Sequence, residues 1–180
     1  VNKGGGAEAE RSNARQGIVK NLPRAQPQKG ENMRSKKQQE KRKRSFEGMD
    51  SAEFAKKWKC AFAAGVSAGV LAERVDAPGC YLWHVFTWGN APCLEHAAAG
   101  DAFDRADKAG AFIAEEYSFN GGGKKVEYFF RKCPPDLKSL DLAYEAEVFV
   151  VGKNFGWTYV VTHETGCGLG PYFAQKEKNL

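Results

Sequence analysis

Every aromatic side chain in this sequence lies on one side of a boundary. The 12 Phe, 6 Tyr and 4 Trp all occur at or after Phe46. A chain folds by burying such side chains, and a segment without them cannot offset the conformational entropy lost on ordering. Charge divides at the same place. Residues 1–50 hold thirteen Lys/Arg against six Asp/Glu, and the remaining 130 hold fourteen against sixteen. The sequence therefore predicts a disordered basic segment over 1–49 and a single domain over 50–175.

The basic segment has its own reading. Arg34, Lys36, Lys37, Lys41, Arg42, Lys43 and Arg44 form a block able to meet phosphate charge on nucleic acid or anionic lipid. No aromatic residue lies inside it to stack on bases, so residues 34–44 would bind nucleic acid weakly and without sequence readout. A solvated leader is the simpler reading. The chain opens with Val, and Lys29-Gly30-Glu31-Asn32 precedes Met33. Codons for Lys-Gly-Glu spell a purine-rich ribosome-binding sequence, so residues 1–32 read as translated upstream sequence and not as natural coding sequence.

No apolar run approaches the roughly twenty residues needed to cross a bilayer, and the first residues lack a secretory h-region. Both point to a cytoplasmic chain with no membrane partner. Cys60, Cys80, Cys93, Cys133 and Cys167 are odd in number, scattered and without a CxxC pair, which reads as free thiols.

From Asp50 onward the elements follow local signals. Asp50 as N-cap with Glu53 three residues later opens a helix. Its apolar stripe is Phe54, Trp58, Ala61 and Phe62, and Gly65 can end it. A shorter helix runs from Ser67 to about Arg74. Tyr81 to Trp88, almost wholly apolar, reads as a central strand. A helix is expected from about Gly100 to Ala109, with Phe103 and Ala106 inward. Residues 111–119 and 124–131 read as strands joined by an Asn120-Gly121-Gly122-Gly123 hairpin loop. Leu137, Leu140 and Leu142 suggest a short helix or turn.

The stretch Glu147 to Phe173 closes the domain as a hairpin. Val148, Val150 and Val151 form one strand, Trp157 to Thr162 the other, and Gly152-Lys153-Asn154-Phe155-Gly156 the turn. Alternation puts Trp157, Tyr159, Val161 and His163 on one face, an aromatic side ending in an imidazole beside Glu164. The elements assemble into an α+β domain: a largely antiparallel sheet of about five strands with two to three helices on one face.

Three phrases in order carry a family likeness. They are Leu82 to Trp88 with Ala91-Pro92-Cys93-Leu94-Glu95, Phe155 to Glu164, and Gly170-Pro171-Tyr172-Phe173. Together they resemble a small uncharacterised bacterial domain family, the domain of unknown function numbered 4275, over roughly residues 52–174. The sequence departs from that pattern at His96, where glycine is expected, and in the insert Thr165 to Leu169. The resemblance implies a fold and no mechanism. The WT…THE ending of the last strand also looks like strands of bacterial toxin-immunity proteins, an analogy of pattern alone.

The nucleotide-cradling motifs GxGxxG and GxxxxGK[ST] are absent, as is GxSxG. His163-Glu164 begins like a zincin motif, but Cys167 stands where its second His belongs. Cys93 with His96, and His163 with Cys167, have spacings that would suit tetrahedral zinc if the two pairs met; unconnected side chains are the default. Cys93 with His163 or His84 as base and Glu164 or Glu95 as orienting carboxylate would make a thiol hydrolase, against a buried, inert cysteine. His84 reads as a core or sheet-face histidine.

No cofactor is implied, and an enzyme is the lesser expectation. The sequence best supports a protein-interaction module, toxin-immunity-like by analogy, with Trp157, Tyr159, His163, Glu164, Tyr172 and Phe173 at its binding face. The alternatives are a thiol- or metal-dependent hydrolase using Cys93, His163 and Glu164, and non-specific nucleic-acid binding through the basic tail.

Overall fold

The computed structural model describes residues 48–119 and 125–176. The expectations for residues 1–47 and for the 120–123 hairpin loop lie outside the described residues. The remainder is an α+β domain built on one six-stranded sheet, all of whose neighbouring strands are antiparallel. The strands are β1 (Leu94–Glu95), β2 (Phe112–Phe119), β3 (Lys125–Lys132), β4 (Val148–Val151), β5 (Trp157–Val161) and β6 (Tyr172–Gln175), in the spatial order β1-β6-β5-β4-β2-β3.

Among the described residues three α-helices accompany them: α1 (Ser51–Phe62), α2 (Ala68–Arg74) and α3 (His96–Arg105). The Asp50 cap expected from the sequence is present, and the structure adds a second cap at Ser67. Asp50 accepts from the Glu53 amide at 2.8 Å, and Ser67 accepts from the Val70 amide at 3.3 Å. The first helix stops at Phe62, before Gly65, with Ala63 as its C-cap. The third begins four residues before the expected Gly100 and ends at Arg105. Its last carbonyls are met by Lys108, whose Nζ donates to the carbonyls of Phe103 at 2.8 Å and Ala106 at 3.2 Å.

The helices do not share one face of the sheet, as the sequence reading supposed. Phe54, Trp58 and Phe62 of α1 pack on Phe112, Ala114, Phe149 and Val160. Ala99 and Phe103 of α3 pack on Ile113, Val150, Tyr159 and Phe173, on the opposite face. Strand alternation makes both layers possible: Phe112 and Ala114 point one way and Ile113 the other. Both faces are covered, so β4 reads as an unbroken apolar run whose four residues are all buried. Buried polar groups are matched within this core. Trp58 Nε1 donates to Thr158 Oγ1 at 3.1 Å, and that hydroxyl donates to the Val150 carbonyl at 3.3 Å.

Tyr81 to Trp88 is not a strand. Leu82–Gly89 winds as 3-10 turns. An unbroken apolar run fits a buried strand or a buried helical segment equally, and periodicity alone cannot separate them. With three residues per turn, positions i and i+3 eclipse. Trp83 and Phe86 accordingly both reach Tyr172, at ring-centroid distances of 6.3 and 5.5 Å. Trp88, at φ 55°, leaves this packing and stands 71% exposed, with the Arg74 guanidinium 4.6 Å from its ring centre. The strands that complete the sheet are β6 and the two-residue β1. Leu137 to Leu142 supplies a 3-10 turn, Ser139–Leu142, with Leu142 buried under α3.

The closing hairpin has the expected strands. Its turn is the 3-10 segment Lys153–Phe155, with Asn154 at φ 56°. Gly152 is required there because a Cβ would lie 2.4 Å from Trp157 Nε1. The expected alternation ends at Val161. Thr162 Oγ1 donates to the Leu169 carbonyl, and the backbone turns away from the sheet through Thr165–Cys167. His163 is thereby released from the face shared by Trp157 and Tyr159.

Candidate functional site

The residues that converge around His163 come from three distant parts of the chain. Glu147 stands immediately before β4, with a left-handed backbone at φ 53° and only 9% of its surface exposed. Its Oε2 accepts from the indole Nε1 of Trp83 at 2.8 Å. Its Oε1 accepts from the backbone amide of His163 at 3.2 Å and from the His163 Nδ1 of the same residue. A buried carboxylate is tolerable when N–H donors surround it, and three do so here. Because Nδ1 donates to Glu147, the tautomer is fixed and Nε2 faces outward, 3.6 Å from Glu164 Oε1.

Aromatic rings hold this pair on the inner side. Tyr81 stacks on Trp83 at 5.7 Å, and Trp83 stacks on Tyr172 at 6.3 Å. The His163 ring lies 5.1 Å from Tyr81 and 6.0 Å from Trp83. His84 meets the Trp83 ring edge-on at 4.2 Å, and its Nδ1 lies 3.1 Å from the Arg74 carbonyl, which accepts only if that nitrogen is protonated. Burial pushes the His84 pKa below its ordinary value, more than the Arg74 carbonyl and the nearby carboxylates raise it. The Tyr81 phenol is pushed up, first by burial and then by the charges of Glu147, Glu116 and Glu164. The outer surface of the site is thus imidazole, phenol and carboxylate.

The expected binding residues separate into two groups. His163 is exposed and Glu164 half-buried, side by side at the site. Tyr159, Tyr172 and Phe173 are core residues, at 2%, 2% and 4% exposure. Trp157 is half-buried against Phe103 and Phe173. The cause is α3. Its Phe103 stacks on Tyr159 at 4.3 Å, so the helix on the second face covers the aromatic side that a one-sided sheet would have left open.

The residues of the alternative ligand and nucleophile sets have separate surroundings. Cys93 Sγ lies 3.9 Å from Glu95 Oε1, and burial, reinforced by that carboxylate, pushes its thiol up to about 12. At neutral pH it is a thiol whose titration is governed by burial and a like charge, not by an imidazole. His96 Nδ1 lies 3.0 Å from the Gly170 carbonyl, while Cys167 sits exposed in its own turn. Among the described residues no three or more His, Cys, Asp or Glu side chains form a group able to hold a metal ion. The imidazole of His163 is oriented as a general base would be, but its Nε2 neighbour is the carboxylate of Glu164.

Glu147 was invisible as a site residue in the sequence, where it is a single acid before an apolar run. The signal lay in the hairpin register. Val148 pairs with Val161, so the residue before the first strand must lie beside the residues that follow the second. Trp83 offered no such signal, being 64 positions from its partner.

An antiparallel sheet covered on both faces, with a carboxylate–imidazole pair at one end and no metal cluster among the described residues, defines an α+β domain with a polar–aromatic surface site. The chain belongs to the family described as Domain of unknown function (DUF4275), whose model matches residues 31–173. No curated protein and no solved structure matches it. No described helix is long and apolar enough to cross a membrane.

Proposed function

We propose that this domain is a protein-interaction module whose recognition face is built on His163, Glu164 and Tyr81. The observation that supports this reading is the clamping of an exposed side chain. His163 is solvent-facing, yet Glu147 holds both its ring and its backbone, and Trp83 holds Glu147 in turn. A surface group ordered before binding loses little further entropy when a partner arrives, and such groups serve as anchors. The carboxylates of Glu147 and Glu164 favour a partner that presents Lys or Arg to this face. Toxin-immunity binding would be one instance, supported by the sequence pattern of β5 and its ending at His163-Glu164 alone.

The test is affinity capture from cell lysate with the wild-type chain and with His163→Ala and Glu164→Ala, each checked for an unchanged unfolding curve. Partners retained by the wild type and lost from both variants support the face. Equal retention by all three chains overturns it.

A further inference from the structure

A cavity of about 510 Å³ lies between the start of α1, the segment after α2, the edge strand β3 and its neighbour β2. That volume is typical of a site for a small ligand or an inserted side chain. Its walls are apolar, formed by Ala55, Val75, Pro78, Leu82 and Val126. Its floor is a carboxylate. Glu116 is 8% exposed and accepts from the Tyr128 hydroxyl at 3.0 Å. Burial, and then the charge of Glu116, push the Tyr128 phenol far above its ordinary range, so it stays a donor. At the rim, the Lys59 ammonium is taken by Asp76 at 2.6 Å. An apolar sleeve ending in a buried carboxylate selects a cation on an alkyl stem.

The sequence supplies such cations a few residues upstream of the entrance. Ser51 and Ala52 border the cavity, and the chain reaches them through Gly48, Met49 and Asp50. Lys41-Arg42-Lys43-Arg44 stands four to seven residues before Gly48. At about 3.3–3.6 Å per residue that tether spans roughly 13–25 Å, enough to return a side chain to the cavity. A short tether also makes its local concentration of the order of millimolar. The family match, over residues 31–173, takes in this block.

We propose that the cavity binds a guanidinium or alkylammonium group from the chain's own block at Lys41 to Arg44, seated against Glu116 and Tyr128. The block is then a ligand of its own domain. A polyanion that engages it must first draw it out, so phosphate binding and cavity occupancy oppose each other. The site stands on the cavity and its floor; Tyr81 borders both the cavity and the His163 face, and His163→Ala separates the two.

The test uses the full chain with Lys41, Arg42, Lys43 and Arg44 all changed to Gln, and a fluorescent peptide of residues 38–47 followed by polarisation. The neutralised chain should bind the peptide saturably, and the wild-type chain at least about tenfold more weakly because its own block competes. In the neutralised background Glu116→Gln should weaken binding by about tenfold or more, through loss of the charge-assisted contact. Ala55→Leu, which fills the cavity from α1 and leaves the floor intact, should do the same, while His163→Ala should change nothing. Equal peptide binding by wild-type and neutralised chains overturns the proposal. So does undiminished binding in folded Glu116→Gln or Ala55→Leu. Binding of arginine amide without binding of the peptide would assign the cavity to a free small amine and overturn it as well.

Discussion

Trp83 and Glu147, 64 residues apart, are joined by an indole N–H donated to a buried carboxylate oxygen at 2.8 Å. The bond ties the 3-10 segment on one face of the sheet to the start of β4. It also sets the position of His163, which holds the other oxygen of the same carboxylate. Two parts of the fold that share no local sequence signal thus depend on one acceptor.

That dependence ranks two conservative substitutions. Trp83→Phe keeps a ring in the stack but leaves Glu147 short of a donor. Trp58→Phe makes the same loss of ring volume at an equally buried site but breaks a neutral bond, to the Thr158 hydroxyl. Hydrogen bonds to charged groups contribute about 1.5–3 kcal/mol and neutral ones about 0.5–1.5 kcal/mol. Urea denaturation should show Trp83→Phe as the more destabilised variant. The reverse order would show that the carboxylate does not depend on the indole.

Glu147→Gly sets backbone strain against side-chain chemistry. The left-handed conformation at φ 53° costs an ordinary residue about 1–2 kcal/mol and glycine almost none. The same change removes the acceptor of Trp83 and His163. Several charge-assisted bonds outweigh one strained residue, so the variant should unfold at lower urea than the wild type. A stabilised variant would mean that Glu147 is tolerated and not required.

Thiol labelling should separate the cysteines by environment. Cys60 and Cys167 are exposed, whereas the Cys93 thiol is pushed up to about 12 by burial and Glu95. Brief iodoacetamide treatment near neutral pH, followed by peptide mass spectrometry, should label Cys93 well after Cys60 and Cys167. Glu95→Gln removes the second cause and keeps the first, so labelling of Cys93 should speed up yet stay behind Cys60. Preferential labelling of Cys93 in the wild type would restore it as a candidate nucleophile.

His84 should make stability depend on pH in one direction. Burial lowers its folded pKa below the ordinary 6.5, so the unfolded chain binds a proton more readily than the folded one. The stabilising contribution is complete above about 6.5 and is lost as pH falls from there through the folded value. Denaturation midpoints of the wild type should drop across that window more steeply than those of His84→Gln. Parallel slopes would place the titration elsewhere.

The legible parts of this fold were those decided within a few residues. Asp50 caps its helix, β2 and β3 carry their own strand chemistry, and the Gly/Asn turn after Val151 joins β4 to β5. His163 and Glu164 were legible as neighbours because they are adjacent in the chain. Tyr172 was recognisable only as part of a phrase, since its strand β6 exists through pairing with β5 and β1.

By itself the sequence determined the Asp50 cap, the turn after Val151 and the α+β class, because these follow from composition and short-range periodicity. The tertiary structure alone decided that α3 covers the second face, that Tyr81 to Trp88 winds as 3-10 turns, and that Glu147 meets both Trp83 and His163. The physical reason is range. An unbroken apolar run or an isolated carboxylate takes its conformation and partners from whatever packs against it, and here those partners come from distant segments of the chain.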